Sequence, residues 1–190
     1  MKPVKFNPFL EALRGSFGDV VFRRFGQQVY LSHKPDMSGI RPSPAQLAHR
    51  ERFRQAMLYA HRALSDPLTA APYRHAVRQP NQRASALALA DFMHAPVIDA
   101  VDLSDYSGRP GDPIVVHAHD DFEVLLVQVS LSDASGAQLE TAPAAEQPAG
   151  SGRWVYTAHC PLAPGTRVRA TASASDRPGN RVEHSVEKTL

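Results

Sequence analysis

A chain of 190 residues, 43% hydrophobic and 21% charged, fits one large globular domain or two small ones. Its 16 prolines and 11 glycines favour many short elements over a few long ones, and the single cysteine, Cys160, excludes an intrachain disulfide. The net charge of +2 hides a polarity: residues 1–94 carry 14 Lys/Arg against 6 Asp/Glu, and residues 95–190 carry 7 against 13, so the front is +8 and the rear −6. Such a split steers nucleic acid to the basic half, or draws the opposite half of a second copy. The plain alternative is that the two signs meet within one molecule or face solvent.

The first residues, Met-Lys-Pro-Val-Lys-Phe-Asn-Pro, lack the apolar core of a signal peptide, and no window approaches a membrane span. The expectation is cytoplasmic synthesis as a soluble protein without membrane contact, the final location being left open. Phe6, Phe9, Leu10 and Leu13 suit a short amphipathic turn that must pack on something else. Two β-rich runs, 20–25 and 29–32, flank Gly26-Gln27-Gln28 and predict a hairpin. A lone hairpin is marginal in water, so this one needs a partner surface.

Residues 35–44 read as a proline-rich linker. Ser43 then caps a long helix with Pro44 at its first position, and Ser43 with Gln46 has the capping-box spacing. Phe53, Met57, Ala60 and Leu64 recur at helical spacing and predict the buried stripe, and Pro67 ends the helix. Residues 73–81 read as basic and irregular. A second helix is predicted over 82–93 on its alanine content, with Pro96 closing it.

Beyond Pro96 the signals turn to strands: 97–103, 114–119, 122–132, 138–142, 153–159, 166–175 and 181–188. The run 122–132 is the richest in β-branched and aliphatic residues, and Leu125, Val127, Val129 and Leu131 place one face of it in a core. Trp154 and Tyr156 share a parity and are expected to face that core. Seven short strands at this spacing predict a β-sandwich. Residues 143–152 read as a low-complexity loop. The fold class is therefore α+β: a basic N-terminal β-hairpin with helices over 1–95, then a seven-stranded sandwich over 96–190.

The strand Val124 to Leu131, Trp154-Val-Tyr, and Ala174-Ser-Asp176-Arg-Pro-Gly179-Asn180-Arg-Val resemble immunoglobulin-like and fibronectin-type-III-like modules of bacterial and phage structural proteins. The last run looks like the Ala-x-Asp-x-x-Gly-Asn turn before the final strand of such modules. The paired cysteines of antibody domains are absent. Gly18-Asp-Val-Val-Phe, Lys34-Pro35-Asp-Met-Ser, Gln46-Leu-x-x-Arg50 and Arg52-Phe53 are similar to a family of small uncharacterised bacterial proteins with a Gly-rich hairpin and a following helix. Neither resemblance implies a single activity.

The sequence lacks a phosphate-binding Gly-x-x-x-x-Gly-Lys loop, a dinucleotide fingerprint, His-Glu-x-x-His, Cys-x-x-Cys and a nucleophile elbow, so the chain reads as no enzyme, with no cofactor and no evident small-molecule substrate. His117 and His119 point to one side of a strand and, with Asp120 and Asp121, suit a divalent metal completed by His159 or Cys160. A solvated strand end is the alternative. Asp120, Asp121 and Asp176 suit calcium if their loops meet, and otherwise are ordinary turn residues. Phe22, Arg23, Arg24, Tyr30, Arg50 and Arg54 are the candidate contact residues for a second copy or for nucleic acid, with Lys34, Arg74, Arg78 and Arg83 extending the basic set. Thin aromatic interleaving argues against single-strand stacking. The expectation is a non-catalytic, homo-oligomeric structural subunit (filament, ring or virion-like) contacting its neighbours through the front half. The alternative is a nucleic-acid-binding module.

Overall fold

The structure, a computed structural model, describes residues 2–3, 15–25, 28–36, 38–39 and 41–190. The predicted turn at Phe6, Phe9, Leu10 and Leu13, and Gly26 and Gln27 of the hairpin connection, lie outside the described residues. The chain divides into two compact units, Met1–Gln46 and Leu47–Leu190. That division falls in the first turn of the long helix, well ahead of the boundary drawn at residue 95, so the helices belong with the C-terminal strands.

The first unit holds a four-stranded antiparallel sheet built from β1 (Lys2–Pro3), β2 (Gly15–Phe17), β3 (Val20–Phe25) and β4 (Gln28–His33), in the order β1-β4-β3-β2. The predicted hairpin is its centre, with Val20 opposite His33 and Phe25 opposite Gln28. Two outer strands supply pairing that a lone hairpin lacks. Residues opposite one another share a face, so Phe22, Arg24, Val29 and Leu31 lie on one side and Arg23, Phe25 and Tyr30 on the other. Among the described residues of this unit only Val29 is a buried hydrophobic, while Phe17, Phe25 and Leu31 are exposed.

The capping box forms as its spacing predicts. Ser43 N donates to Gln46 Oε1 at 2.9 Å, and Gln46 N donates back to Ser43 Oγ at 3.3 Å. Helix α1 (Pro44–Ser65) follows. Its buried positions are Ala56, Ala60 and Ala63, whereas Phe53 and Met57 are 45% and 52% exposed. The predicted stripe is therefore rotated: only Ala60 is common to both, and Leu64 is half-buried. The reason is steric. Ala60, Ala63 and Ala88 cluster around the Tyr73 ring, so short side chains let the helices close while the large ones are left outside.

Helix α2 (Pro67–His75) follows directly and takes in the first three residues of 73–81, the segment read as irregular. Pro67 ends α1 but also sits in the first turn of α2, and Asp66 Oδ2 accepts from Thr69 N at 3.0 Å as its N-cap. Helix α3 (Ala84–Met93) matches the alanine-rich segment.

Eight strands follow: β5 (Val97–Asp102), β6 (Pro113–His119), β7 (Leu126–Asp133), β8 (Gln138–Pro143), β9 (Ala145–Glu146), β10 (Arg153–Thr157), β11 (Arg167–Ser175) and β12 (Arg181–Thr189). They form two antiparallel sheets, ordered β5-β6-β10-β9 and β12-β11-β7-β8. The eighth strand, β9, pairs with Trp154 and Val155 inside the segment read as a loop. Alternate residues of both sheets close one core: Ile114 and Val116 from β6, Val127, Val129 and Leu131 from β7, Trp154 and Tyr156 from β10, and Val168 and alternating alanines from β11. Strand β7 starts at Leu126, not at residue 122, and Leu125 is exposed. Phe122 instead stacks on Tyr73 of α2, with ring centroids 4.6 Å apart, which draws the chain out of the sheet.

Candidate functional site

Three segments distant in sequence deliver carboxylates to one place. The β11–β12 turn supplies Asp176, which is buried. Its Oδ1 accepts from Gly179 N at 2.9 Å and Asn180 N at 2.6 Å, and its Oδ2 accepts from Asn180 Nδ2 at 2.7 Å. Gly179 has φ +93°, a conformation side chains other than glycine rarely adopt, and this lets the turn fold back onto the carboxylate. Asn180 Nδ2 also lies 3.3 Å from the carbonyl oxygens of Asp91 and Phe92 and 3.1 Å from that of His94, so the turn caps the C-terminal end of α3.

Helix α3 supplies Asp91, the one charged residue of that helix, with no exposed surface. Asp120 comes from the β6–β7 connection, turned inward where Phe122 leaves the sheet. One carboxylate oxygen from each of Asp91, Asp120 and Asp176 lies within 4.8 Å of the others. Among the described residues this is the one group of three or more His, Cys, Asp or Glu side chains with donor atoms in mutual range.

The hydrogen bonding is uneven. Asp91 Oδ2 accepts from the Tyr73 hydroxyl, and Tyr59 OH lies 2.8 Å from Tyr73 OH. Tyr73 has one proton to give, so Tyr59 donates to Tyr73 and Tyr73 to Asp91. Asp91 Oδ1 and both oxygens of Asp120 are buried and accept nothing. Burial pushes the Asp91 carboxyl up to about 6, against the Tyr73 hydrogen bond, with Asp176 and Asp120 adding to the rise. Burial also raises Asp176, offset in part by its bonds from Asn180, and it raises the Tyr73 phenol. Arg177, the cation whose field opposes the rise at Asp91, is ion-paired with Glu123 at 2.7 Å. Three clustered acids with no cation bonded to them among the described residues can share protons or hold a hard metal ion.

The structure takes apart the predicted quartet. Asp120 joins Asp91 and Asp176, whereas His119 Nδ1 pairs with Asp99 at 2.8 Å and Asp121 with His94 Nδ1 at 2.5 Å. His117 is exposed on the sheet, His159 lies 3.8 Å from Glu140, and Cys160 N donates to Glu140 at 3.2 Å. The contact residues are divided as well. Phe22 and Arg24 face one side of the first sheet, Arg23 and Tyr30 the other. Arg50 and Arg54 lie one turn apart on exposed α1, with Arg54 held by Glu51 at 2.6 Å. Asp91 and Tyr73 were missed by sequence reasoning. The signal was present, since a lone acid inside Ala-Leu-Ala-Asp91-Phe-Met is costly to bury unless it meets partners.

On α1, Leu47, Phe53, Met57 and Leu58 are exposed. A groove of about 470 Å³ runs between α1 and α3, lined by Met57, Ala60, Leu64 and Leu89 among others. Among the described residues no helix is long and apolar enough to cross a membrane. Comparison of the chain with protein-family models, with curated proteins and with solved structures returned no match.

Proposed function

We propose that this chain is a non-catalytic structural subunit that associates with copies of itself, and that its eight C-terminal strands are an immunoglobulin-like sandwich. The strand order supports the second part. Labelled A, B, C, C′, D, E, F and G in chain order, the strands fall into A-B-E-D and G-F-C-C′ sheets, the partition of immunoglobulin-like modules.

The observation that carries the first part is the exposed apolar face of α1. Phe53 and Met57 are half out of a chain that already has a filled core, and the groove beside Met57 is lined chiefly by carbon. The first sheet adds exposed Phe17, Phe25 and Leu31. The occupant is a second copy, because the basic front and acidic rear are complementary in charge. Contacts between unlike surfaces build a ring or an open filament, not a two-fold dimer.

Light scattering and negative-stain microscopy of the purified chain test this at low and at high salt. Concentration-dependent assembly that salt weakens is the expected result. A strict monomer at high concentration and low salt overturns the reading. The alternative, nucleic-acid binding through Arg23, Arg24 and Arg50, predicts retention on heparin at about 50 mM salt, steeply lost as salt rises. The split of Arg23 and Arg24 between two sheet faces favours it less.

A further inference from the structure

We propose that Asp91, Asp120 and Asp176 bind a divalent cation of the calcium type, which pins helix α3 to the β6–β7 and β11–β12 connections. The spacing fits one ion. Ligands to a single Ca²⁺ sit about 2.4 Å from it and so lie at most about 4.8 Å apart. The three carboxylate donors fall within 4.8 Å of one another.

Burial supplies the second, independent argument. Asp91 is wholly enclosed, yet its Oδ1 has no hydrogen-bond partner, and neither oxygen of Asp120 has one either. Buried polar atoms are almost always satisfied, and unsatisfied carboxylate oxygens on two of three clustered acids call for a positive charge or protons. Among the described residues no cation bonds these oxygens: Arg177, whose field reaches Asp91, is ion-paired with Glu123, and His94 and His119 pair with Asp121 and Asp99.

The donor chemistry selects the class of ion. The donors are carboxylate oxygens with no imidazole or thiolate among them, which suits a hard cation over zinc or copper. Magnesium keeps several waters and resists dehydration, so an enclosed set of three carboxylates suits calcium better. The outer partners are also in place. The Tyr73 hydroxyl holds Asp91 Oδ2 and leaves Oδ1 open, and Asn180 fixes Asp176 through its backbone and side-chain amides. Calcium binding does not depend on self-association, and the two readings fail separately.

The experiment uses the full chain stripped with EDTA. Terbium, a calcium probe excited through tyrosine, is titrated and then displaced with Ca²⁺, and thermal melts are run in EDTA, Ca²⁺ and Mg²⁺. Tyr73 touches Asp91, so sensitised terbium emission is expected, reversed by Ca²⁺. Saturation at about a hundred times Kd is expected to raise the melting temperature by about 5–10 °C. Asp120→Asn, chosen because Asp120 makes no hydrogen bond that the change would break, is expected to lose both signals. Wild-type protein showing neither emission nor a shift at about 10 mM Ca²⁺, ten times the weakest usual Kd, overturns the site. So does a shift with Mg²⁺ alone, or binding undiminished in a folded Asp120→Asn variant. The wild-type titrations decide the matter even where that variant fails to fold.

Discussion

The Tyr73 hydroxyl on α2 donates to the carboxylate of Asp91 on α3, joining two helices through a bond between fully buried groups. Tyr59 of α1 backs the same hydroxyl at 2.8 Å, so one chain of polar contacts threads all three helices to a single acid. Tyr73→Phe keeps the ring that packs on Phe122 but removes the donor. It leaves Asp91 Oδ2 and the Tyr59 hydroxyl without their partner, and a cost of about 1–3 kcal/mol is expected in urea unfolding. Tyr59→Phe is expected to cost less, about 0.5–1.5 kcal/mol, since Tyr59 is only half-buried and the Tyr73–Asp91 bond survives. Equal losses in the two variants would contradict this ordering.

Asp91 also sets a pH dependence. Its carboxyl is raised to about 6 in the folded chain, while the unfolded chain keeps the ordinary value near 4. Between these values the folded state holds a proton that the unfolded state has released. Stability measured in EDTA therefore falls as pH rises from about 4 to 6 and levels off above, by an amount on the order of 3 kcal/mol. Asp176, raised in the same direction, adds to the fall, while the Tyr73 bond and the field of Arg177 oppose it at Asp91. Asp91→Asn is expected to flatten the profile in chemical melts across pH 4 to 7. An unchanged slope in that variant would place the titration elsewhere.

The core shared by the two C-terminal sheets yields a third expectation. Trp154 is buried on β10 among residues of both sheets, and Trp154→Ala is expected to cost about 3–5 kcal/mol. The same substitution at a strand end outside the core would cost less than about 1 kcal/mol, so urea unfolding checks the position of β10 directly.

How far the sequence was legible follows from which residues carry local signals. Period-two alternation in β6, β7, β10 and β11 names a face without reference to any partner, and Val127, Val129 and Leu131 are buried as that alternation requires. The capping box at Ser43 is equally local. Helix α1 was misread because a 3.6-residue period admits two adjacent stripes. Size favoured Phe53 and Met57, but the close approach of α3 and Tyr73 selected the alanines. Helix α2 was missed because Pro67 was taken only as a terminator, although Asp66-Pro67 is also a start signal. For the acidic cluster, Asp120 and Asp176 were visible as turn acids. Their meeting with Asp91 depends on α3 docking against the β11–β12 turn, a long-range contact with no local signature.

The exposed face of α1 gives the last expectation, and it separates assembly from stability. Phe53 and Met57 are 45% and 52% exposed, so replacing both with Glu leaves the buried stripe of Ala56, Ala60 and Ala63 in place in the single chain. Surface changes of this kind usually stay within about 0.5 kcal/mol each, and the monomer should melt nearly as before. In an assembled state the same side chains sit in an interface, and if they are its central anchors their loss costs about 2 kcal/mol or more. The double variant is therefore expected to shift the association midpoint at least about thirtyfold upward in concentration by light scattering, with little change in melting temperature. A variant that melts far below wild type would mean that α1 packs within its own chain through Phe53 and Met57. One that associates as wild type does would move the interface to the first sheet, where Phe17→Ser and Phe25→Ser are the next changes to make.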